Sequence, residues 1–201
     1  MSQDVTTQEA LAALYDTPRD IVLAKVTDRI EATAAAFIAA SPFCILATSG
    51  ARGLHATPRG DAPGFVTLLD DGRLALPDRR GNNRIDALRD IIDDPRVALL
   101  FLVPGAGEGL RITGTATIST DPALLARFAV AGKAPVTVLL VTAAQVFMQC
   151  QRAVIRSGLW GDRARPAVPT AGIMLAAHTG GMVDAAAYDA DMPERVAASL
   201  Y

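Results

Sequence analysis

The sequence predicts a mainly β protein with flanking helices, built as a small antiparallel barrel. Three observations carry that reading. At least six short apolar or alternating runs follow one another between Phe43 and Met148 with few helical segments between them, which fits a barrel better than a parallel α/β sheet. Asp-Gly and glycine-rich segments stand where hairpin turns are needed. The apolar content also suffices for one domain. Hydrophobic residues make up 51% of the 201; 38 of them are alanine, but larger apolar and aromatic side chains still supply a third of the chain.

Residues 1–40 read as helical. Ile30, Ala34, Phe37 and Ile38 recur at helical spacing, Asp28 and Glu31 have the spacing of a capping-box variant, and Ser41-Pro42 ends the segment. Phe43–Ser49 reads as a buried strand, and Gly50-Ala51-Arg52-Gly53 turns it into Leu54–Arg59. Phe65–Leu69 and Arg73–Leu76 form a second hairpin about Asp70-Asp71-Gly72. Asn82–Asp93 reads as a helix with Ile85, Leu88 and Ile92 on one face, closed by Pro95. Arg96–Val103 is a continuous apolar run, the pattern of a strand buried on both faces. Pro104–Gly109 is a glycine-rich turn into the alternating strand Leu110–Ser119. Asp121-Pro122 opens a helix through about Ala131, with proline at the favoured first turn. Pro135–Val141 is the last clear strand, with Ala143–Met148 as its continuation. Beyond Trp160, residues 172–178 and 184–199 are alanine-rich helices expected to pack on the barrel or on a partner subunit.

Composition excludes several classes. The net charge of -2 and the apolar content exclude disorder. The longest strongly apolar stretch, Val97–Val103, is far short of the ~20 residues of a membrane span. The polar, acidic start of the sequence is not a signal peptide, so a cytoplasmic address is expected. Cys44 and Cys150, both in apolar patterns, make no disulfide framework, and two histidines without metal-site spacing imply no metal. Charge is skewed in kind: 17 arginines against Lys25 and Lys133, with eight arginines between Arg52 and Arg96. A near-neutral chain does not present the basic face of a nucleic-acid binder. A local arginine cluster suits a small anion, phosphate above all.

Three segments stand out as candidate chemistry. Pro77-Asp78-Arg79-Arg80-Gly81-Asn82-Asn83-Arg84 leaves a strand and enters the predicted helix, whose N-terminus offers unpaired N–H groups to an anion. Asn82 or Asn83 can cap it, and Arg84 in a first turn is electrostatically misplaced without an anion. The other reading is an exposed, capped helix with a solvated arginine. Thr57-Pro58-Arg59-Gly60-Asp61-Ala62-Pro63-Gly64 is a shaped turn in which Arg59 either grips the same phosphate or faces a planar ring. Asp61 either orients Arg59 or makes a purely structural pair. In Gln149–Trp160, Arg152 and Arg156 are four apart on one helix face, so a carboxylate or anion from elsewhere is implied. Trp160 serves either there or in a core. The glycines at 105, 107 and 109 lead into a strand and so mark a hairpin, not a dinucleotide loop. His55, on a strand, reads as structural.

Together these residues resemble the pyridoxamine 5'-phosphate oxidase-like family of FMN-binding split β-barrels, and within it a subgroup of FMN-dependent enzymes of unassigned substrate. The motifs that carry the resemblance are Ser41-Pro42-Phe43, Pro58 through Gly64, Leu76-Pro77-Asp78, Gly81 through Arg84, Arg111 through Gly114, Thr120-Asp121-Pro122, and Arg156-Ser157 through Leu159-Trp160. The resemblance covers about Phe37 to Trp160, is also visible in the tail ending Leu200-Tyr201, and implies a homodimer. The chain then divides into an N-terminal helical segment over residues 1–40 packing on the barrel, a split-barrel flavin-binding domain over 41–160 and a helical tail over 161–201. The resemblance further implies that Thr57 and Arg59 line the flavin, with Pro77 and Asp78 among the cofactor-binding positions, and that Asn82, Asn83 and Arg84 hold the FMN phosphate. Gln149, Arg156 and Trp160 would reach the isoalloxazine of the other subunit. The chain departs from the true oxidases in having Arg79, Arg80 and Arg84 but no lysine at the phosphate loop. It also has Gln149 where the subgroup often has histidine, and no counterpart of the residues that hold substrate phosphate, so vitamin B6 oxidation is not implied. No catalytic residue is assigned. The implied activity is hydride or electron transfer between a reduced nicotinamide or small organic substrate and FMN. The alternatives are a deazaflavin-dependent reductase, a non-catalytic flavin or haem binder, and a catalytically silent dimeric barrel.

Overall fold

The computed structural model describes residues 4–162, 164 and 166–201. Its N-terminal part is three short helices, not the single predicted segment: α1 (Gln8–Ala12), α2 (Asp20–Ala24) and α3 (Ala32–Ala40). Pro18 disfavours helix at Thr17. Further on, Thr27 is drawn into a two-bond bridge with Val146, at 3.0 and 2.8 Å. The expected capping box does not form, because Glu31 stands at the N-cap of α3 and makes no side-chain bond there. Only α3 enters the core, through Ala34 and Ile38.

Buried Ser41 ends α3, and its hydroxyl is shared between the carbonyls of Phe43 and Leu102, each 2.7 Å away. The first hairpin matches its expected form: β1 (Phe43–Gly50) pairs with β2 (Gly53–Gly60) across the two-residue turn Ala51-Arg52. Next come β3 (Thr67–Leu68) and β4 (Leu74–Asp78), turned at Gly72, whose φ of 81° suits glycine. Helix α4 (Asp86–Asp93) starts later than predicted. Asn83 and Ile85 are left-handed, with φ of 58° and 49°, and the Asn82 side chain accepts from the Arg84 N–H at 3.1 Å. That Asx turn replaces the first helical turn. The buried face is Ala87, Asp90 and Ile91, while Ile92, predicted to be inside, is 76% exposed.

Strand β5 (Arg96–Leu102) buries Val97, Leu99 and Phe101 but leaves the alternate residues half-buried. It is not enclosed on both faces, because its neighbours are antiparallel and only one side meets the core. Then follow β6 (Gly109–Ser119), α5 (Pro122–Arg127) and β7 (Thr137–Gln149). Asp121 caps α5 by accepting from the N–H groups of Ala123 and Leu124. The helix stops well before the predicted Ala131, which is itself left-handed at φ 50°. Helix α6 (Arg152–Ser157) precedes α7 (Ala171–His178) and α8 (Ala185–Ser199), which pack on one another. Cys44 is buried, and burial pushes its thiol up to about 12 against a lowering by Arg59. Cys150 is exposed, contrary to the apolar pattern around it.

The seven strands form one antiparallel sheet in the order β2-β1-β5-β6-β7-β4-β3. It curls about a core that includes Leu46 of β1, Leu76 of β4, Leu99 and Phe101 of β5, Ile112 of β6 and Val141 of β7. The expected barrel is not closed by backbone, since β2 and β3 remain edges. Side chains span the gap instead: Arg59 of β2 meets Asp78 of β4 at 2.8 Å. No helix among the described residues is long and apolar enough to cross a membrane.

Candidate functional site

On an antiparallel edge strand alternate residues share a face. On β2 that row is His55, Thr57 and Arg59, each half-buried, with Leu54, Ala56 and Pro58 exposed on the opposite side. The row faces the end of β4 and the loop into α4 across a cavity of about 930 Å³, which is within the range of small-molecule sites. Thr57, Arg59, Pro77, Asp78, Asn82, Asn83 and Arg84, expected at the cofactor, all line it. Gln149, Arg156 and Trp160 do not line this chain's cavity. Gln149 pairs with Gly109 at the end of β7, Arg156 is exposed on α6, and the Trp160 indole N–H donates to the Ala106 carbonyl at 2.6 Å. Both Arg152 and Arg156 are exposed, and no ion pair engages either among the described residues.

The ion pairs differ from those expected. Asp61 does not orient Arg59; it accepts from Arg79 Nε at 2.6 Å, and Arg59 takes Asp78. Arg79 also donates to the Phe128 carbonyl at 2.6 Å. Arg84 lies before the helix, not in its first turn as expected, and pairs with the Asp86 carboxylate at 2.8 Å. Asp86 also binds Arg52 of the β1–β2 turn at 2.7 Å, and these two arginines hold its carboxyl below the usual range. Ile85 keeps a left-handed backbone despite its β-branch, a strained conformation on the cavity wall.

Sequence reasoning missed Lys133, Thr137 and Tyr201, which also line the cavity, and took His55 as structural. The Tyr201 hydroxyl donates to Asp61 at 2.7 Å, its ring lies 5.6 Å from the Arg79 guanidinium, and Lys133 Nζ donates to its carbonyl at 3.0 Å. These contacts join positions 68 and 140 residues apart, so no local pattern announces them. His55 was legible, since it shares parity with Thr57 and Arg59.

Burial raises the Asp61 carboxyl, but bonds from Tyr201, the Ala62 N–H and Arg79 outweigh it and hold the group below its ordinary 3.8. Donation to Asp61 raises the Tyr201 phenol above its ordinary 10.0. Asp61 therefore contributes stability that is full above the ordinary carboxyl range and is lost as pH falls through its depressed value. The Tyr201 contribution is full below the ordinary phenol range and is lost as pH rises through its raised value. Tyr201→Phe should accordingly lower the melting temperature at neutral pH, with the deficit vanishing in strong acid. No deficit at any pH would show that Tyr201 acts by packing alone.

A family model described as pyridoxamine 5'-phosphate oxidase matches residues 30–150, well over half of the chain. The chain belongs to this family. Among solved structures, HupZ of Group A Streptococcus is similar at 19% identity and a TM-score of 0.50, over 60% of this chain and 94% of that one. General stress protein 26 of Bacillus anthracis is similar at 18% identity and a TM-score of 0.42, over 56% and 88%. A proposed pyridoxamine 5'-phosphate oxidase of Lactobacillus delbrueckii is similar at 20% identity and a TM-score of 0.47, over 60% and 95%. No curated protein matches the chain. Membership of the pyridoxamine 5'-phosphate oxidase family supports a flavin-binding split-barrel fold.

The residues present fit such a ligand. Arg59 Nε, Thr137 Oγ1 and His55 Nδ1 are buried without hydrogen-bond partners among the described residues, and all three belong to residues of the cavity wall. Enclosed polar atoms are rarely left unpaired. A donor-rich slot with arginines along one wall suits a ligand that is planar at one end and anionic at the other.

Proposed function

We propose that this member of the pyridoxamine 5'-phosphate oxidase family binds FMN in the cavity between β2, β4 and the loop into α4, and works as an FMN-dependent oxidoreductase in the cytoplasm. The observation that carries the reading is the convergence of three unpaired buried polar atoms and the cations Arg59, Arg79, Arg80 and Arg84 on one cavity. Asn82, Asn83 and Arg84 hold the phosphate in this reading, while Thr57, Arg59, Pro77 and Asp78 border the rest of the cofactor. Bound FMN would supply hydride or electron transfer. The chain's own part is to hold the anion, fix the ring plane and exclude water. Two copies assemble so that Gln149, Arg156 and Trp160 of each reach the other's cavity; the exposed Arg156 and the 37%-exposed Trp160 are available for this. The N-terminal helical segment and the helical tail flank the flavin domain in each copy.

The test starts with the purified protein and added FMN, where the two-banded visible absorbance of a bound oxidised flavin is expected. Bleaching by NADH or NADPH without oxygen then separates an oxidoreductase from a carrier, and the same titration with a deazaflavin separates the two cofactors. Arg84→Ala should weaken FMN binding roughly ten- to a hundredfold, the worth of a charge-assisted contact. Mixing Arg84→Ala with Trp160→Ala subunits should restore one good site per heterodimer. No flavin binding by the wild type would overturn the proposal, and no recovery on mixing would overturn its shared-site part.

A further inference from the structure

Asp90 of α4 is a carboxylate at only 4% exposure, brought against β1 where Gly50 leaves room; a Cβ there would lie 2.5 Å from Asp90 Oδ1. Its Oδ2 accepts from the Thr48 hydroxyl at 2.7 Å. Thr48 is the cross-strand partner of His55, whose Nδ1 reaches to 3.4 Å from the same oxygen without making a hydrogen bond. A buried carboxylate calls for a cation. The β1–β2 turn offers Arg52 and the loop offers Arg84, but Asp86, one helical turn before Asp90, already holds both. Thr48, from β1, is neutral. Among the described residues, the remaining group able to carry positive charge against Asp90 is therefore His55, and it does so only when protonated.

An anion in the cavity gives that proton a reason to bind. The lining carries Arg59, Arg79, Arg80, Arg84 and Lys133 against Asp78 and Asp86, with Asp61, Asp90 and Arg52, the partner of Asp86, behind it. His55 lines the same cavity, and an anion beside an imidazole favours its charged form. The imidazolium turns Nδ1–H to Asp90 and leaves the opposite Nε2–H available to a ligand oxygen.

We infer that His55, set by Asp90 and Thr48, is a proton-linked anion-binding residue, so that a dianionic ligand enters the cavity together with a proton taken up at His55. For its natural ligand the inference rests on the FMN reading. Affinity then falls with rising pH, by no more than about tenfold per pH unit, the limit for one linked proton.

Titration calorimetry of the whole protein with FMN, in buffers of different ionisation enthalpy near pH 8, reads the proton count directly. The FMN phosphate, with a second pKa of about 6, is then already a dianion. Net uptake is expected for the wild type, lost in His55→Gln and kept in His178→Gln, whose site is an exposed residue of α7. His55→Gln alters a half-exposed side chain on an edge strand, and its melting curve checks the fold. Sulfate is the second probe, because it does not itself titrate in this range. Sulfate binding with uptake at His55, but no FMN binding, upholds the inference and overturns the flavin reading. FMN binding without uptake, or with uptake that survives His55→Gln, overturns the inference and leaves the flavin reading standing. Absence of uptake with both probes overturns the inference.

Discussion

Arg59→Ala is expected to lower stability by about 2 kcal/mol and to weaken FMN binding roughly ten- to a hundredfold. Both effects follow from one side chain. Arg59 and Asp78, at 20% and 18% side-chain exposure, form the ion pair that joins β2 to β4 where no backbone ladder does. Removing one partner of an enclosed pair strands the other charge, at a cost of about 3–5 kcal/mol when burial is complete and less here, where water reaches both groups. The binding effect arises separately, from Arg59 Nε, a buried donor left without a partner among the described residues. Chemical denaturation and FMN titration measure the two. The double variant Arg59→Ala/Asp78→Ala should be less destabilised than the sum of the single variants. Additive losses would show that the pair does not couple the strands.

Gly114→Val is expected to cost about 3 kcal/mol or more, a fall in melting temperature on the order of 10 °C. Between Thr113 and Gly114 the β6–β7 register slips: Thr113 faces Gln145 while Gly114 faces Ala143, so Ala144 is the extra residue of a bulge. Here the strands approach so closely that a Cβ on Gly114 would run into the Thr142 carbonyl. Backbone cannot swing aside as a flexible side chain can, so the ladder itself must open. Gly114→Ala should lose stability in the same sense by a smaller amount. Melting temperatures within a degree or two of the wild type for both variants would show that the bulge yields. The slip also sets where Gln149 emerges at the end of β7, so a repaired register would move that side chain.

The strands were legible because each has a local signature. β1 and β2 are joined by glycines at both ends of a two-residue turn, and the β3–β4 hairpin carries Asp-Gly at its tip. The start of α4 was not legible: an Asx turn at Asn82 and left-handed backbone at Asn83 and Ile85 override a helical pattern that continues through them. The first 40 residues misled because the helical spacing of Ile30 to Ile38 does not extend back over a segment that Pro18 and the Thr27–Val146 bridge interrupt. Seven candidate site residues fall together because β2, β4 and the following loop are close in sequence and, as the sheet curls, line one cavity. Lys133 and Tyr201 arrive from distant segments, and the partners of Arg59 and Arg79 depended on which of two nearby aspartates each would meet.

The Asp86 clamp bears on how this protein spends the entropy of binding. With Arg52 on one oxygen and Arg84 on the other, Asp86 ties the loop to the β1–β2 turn before any ligand arrives. The left-handed residues beside it leave the intervening backbone few other shapes. A loop ordered in advance loses little conformational freedom on capture, so more of each contact's strength survives as affinity. The same preorganisation makes the site selective by shape: an anion that cannot meet Arg84 where Asp86 holds it must first break the clamp.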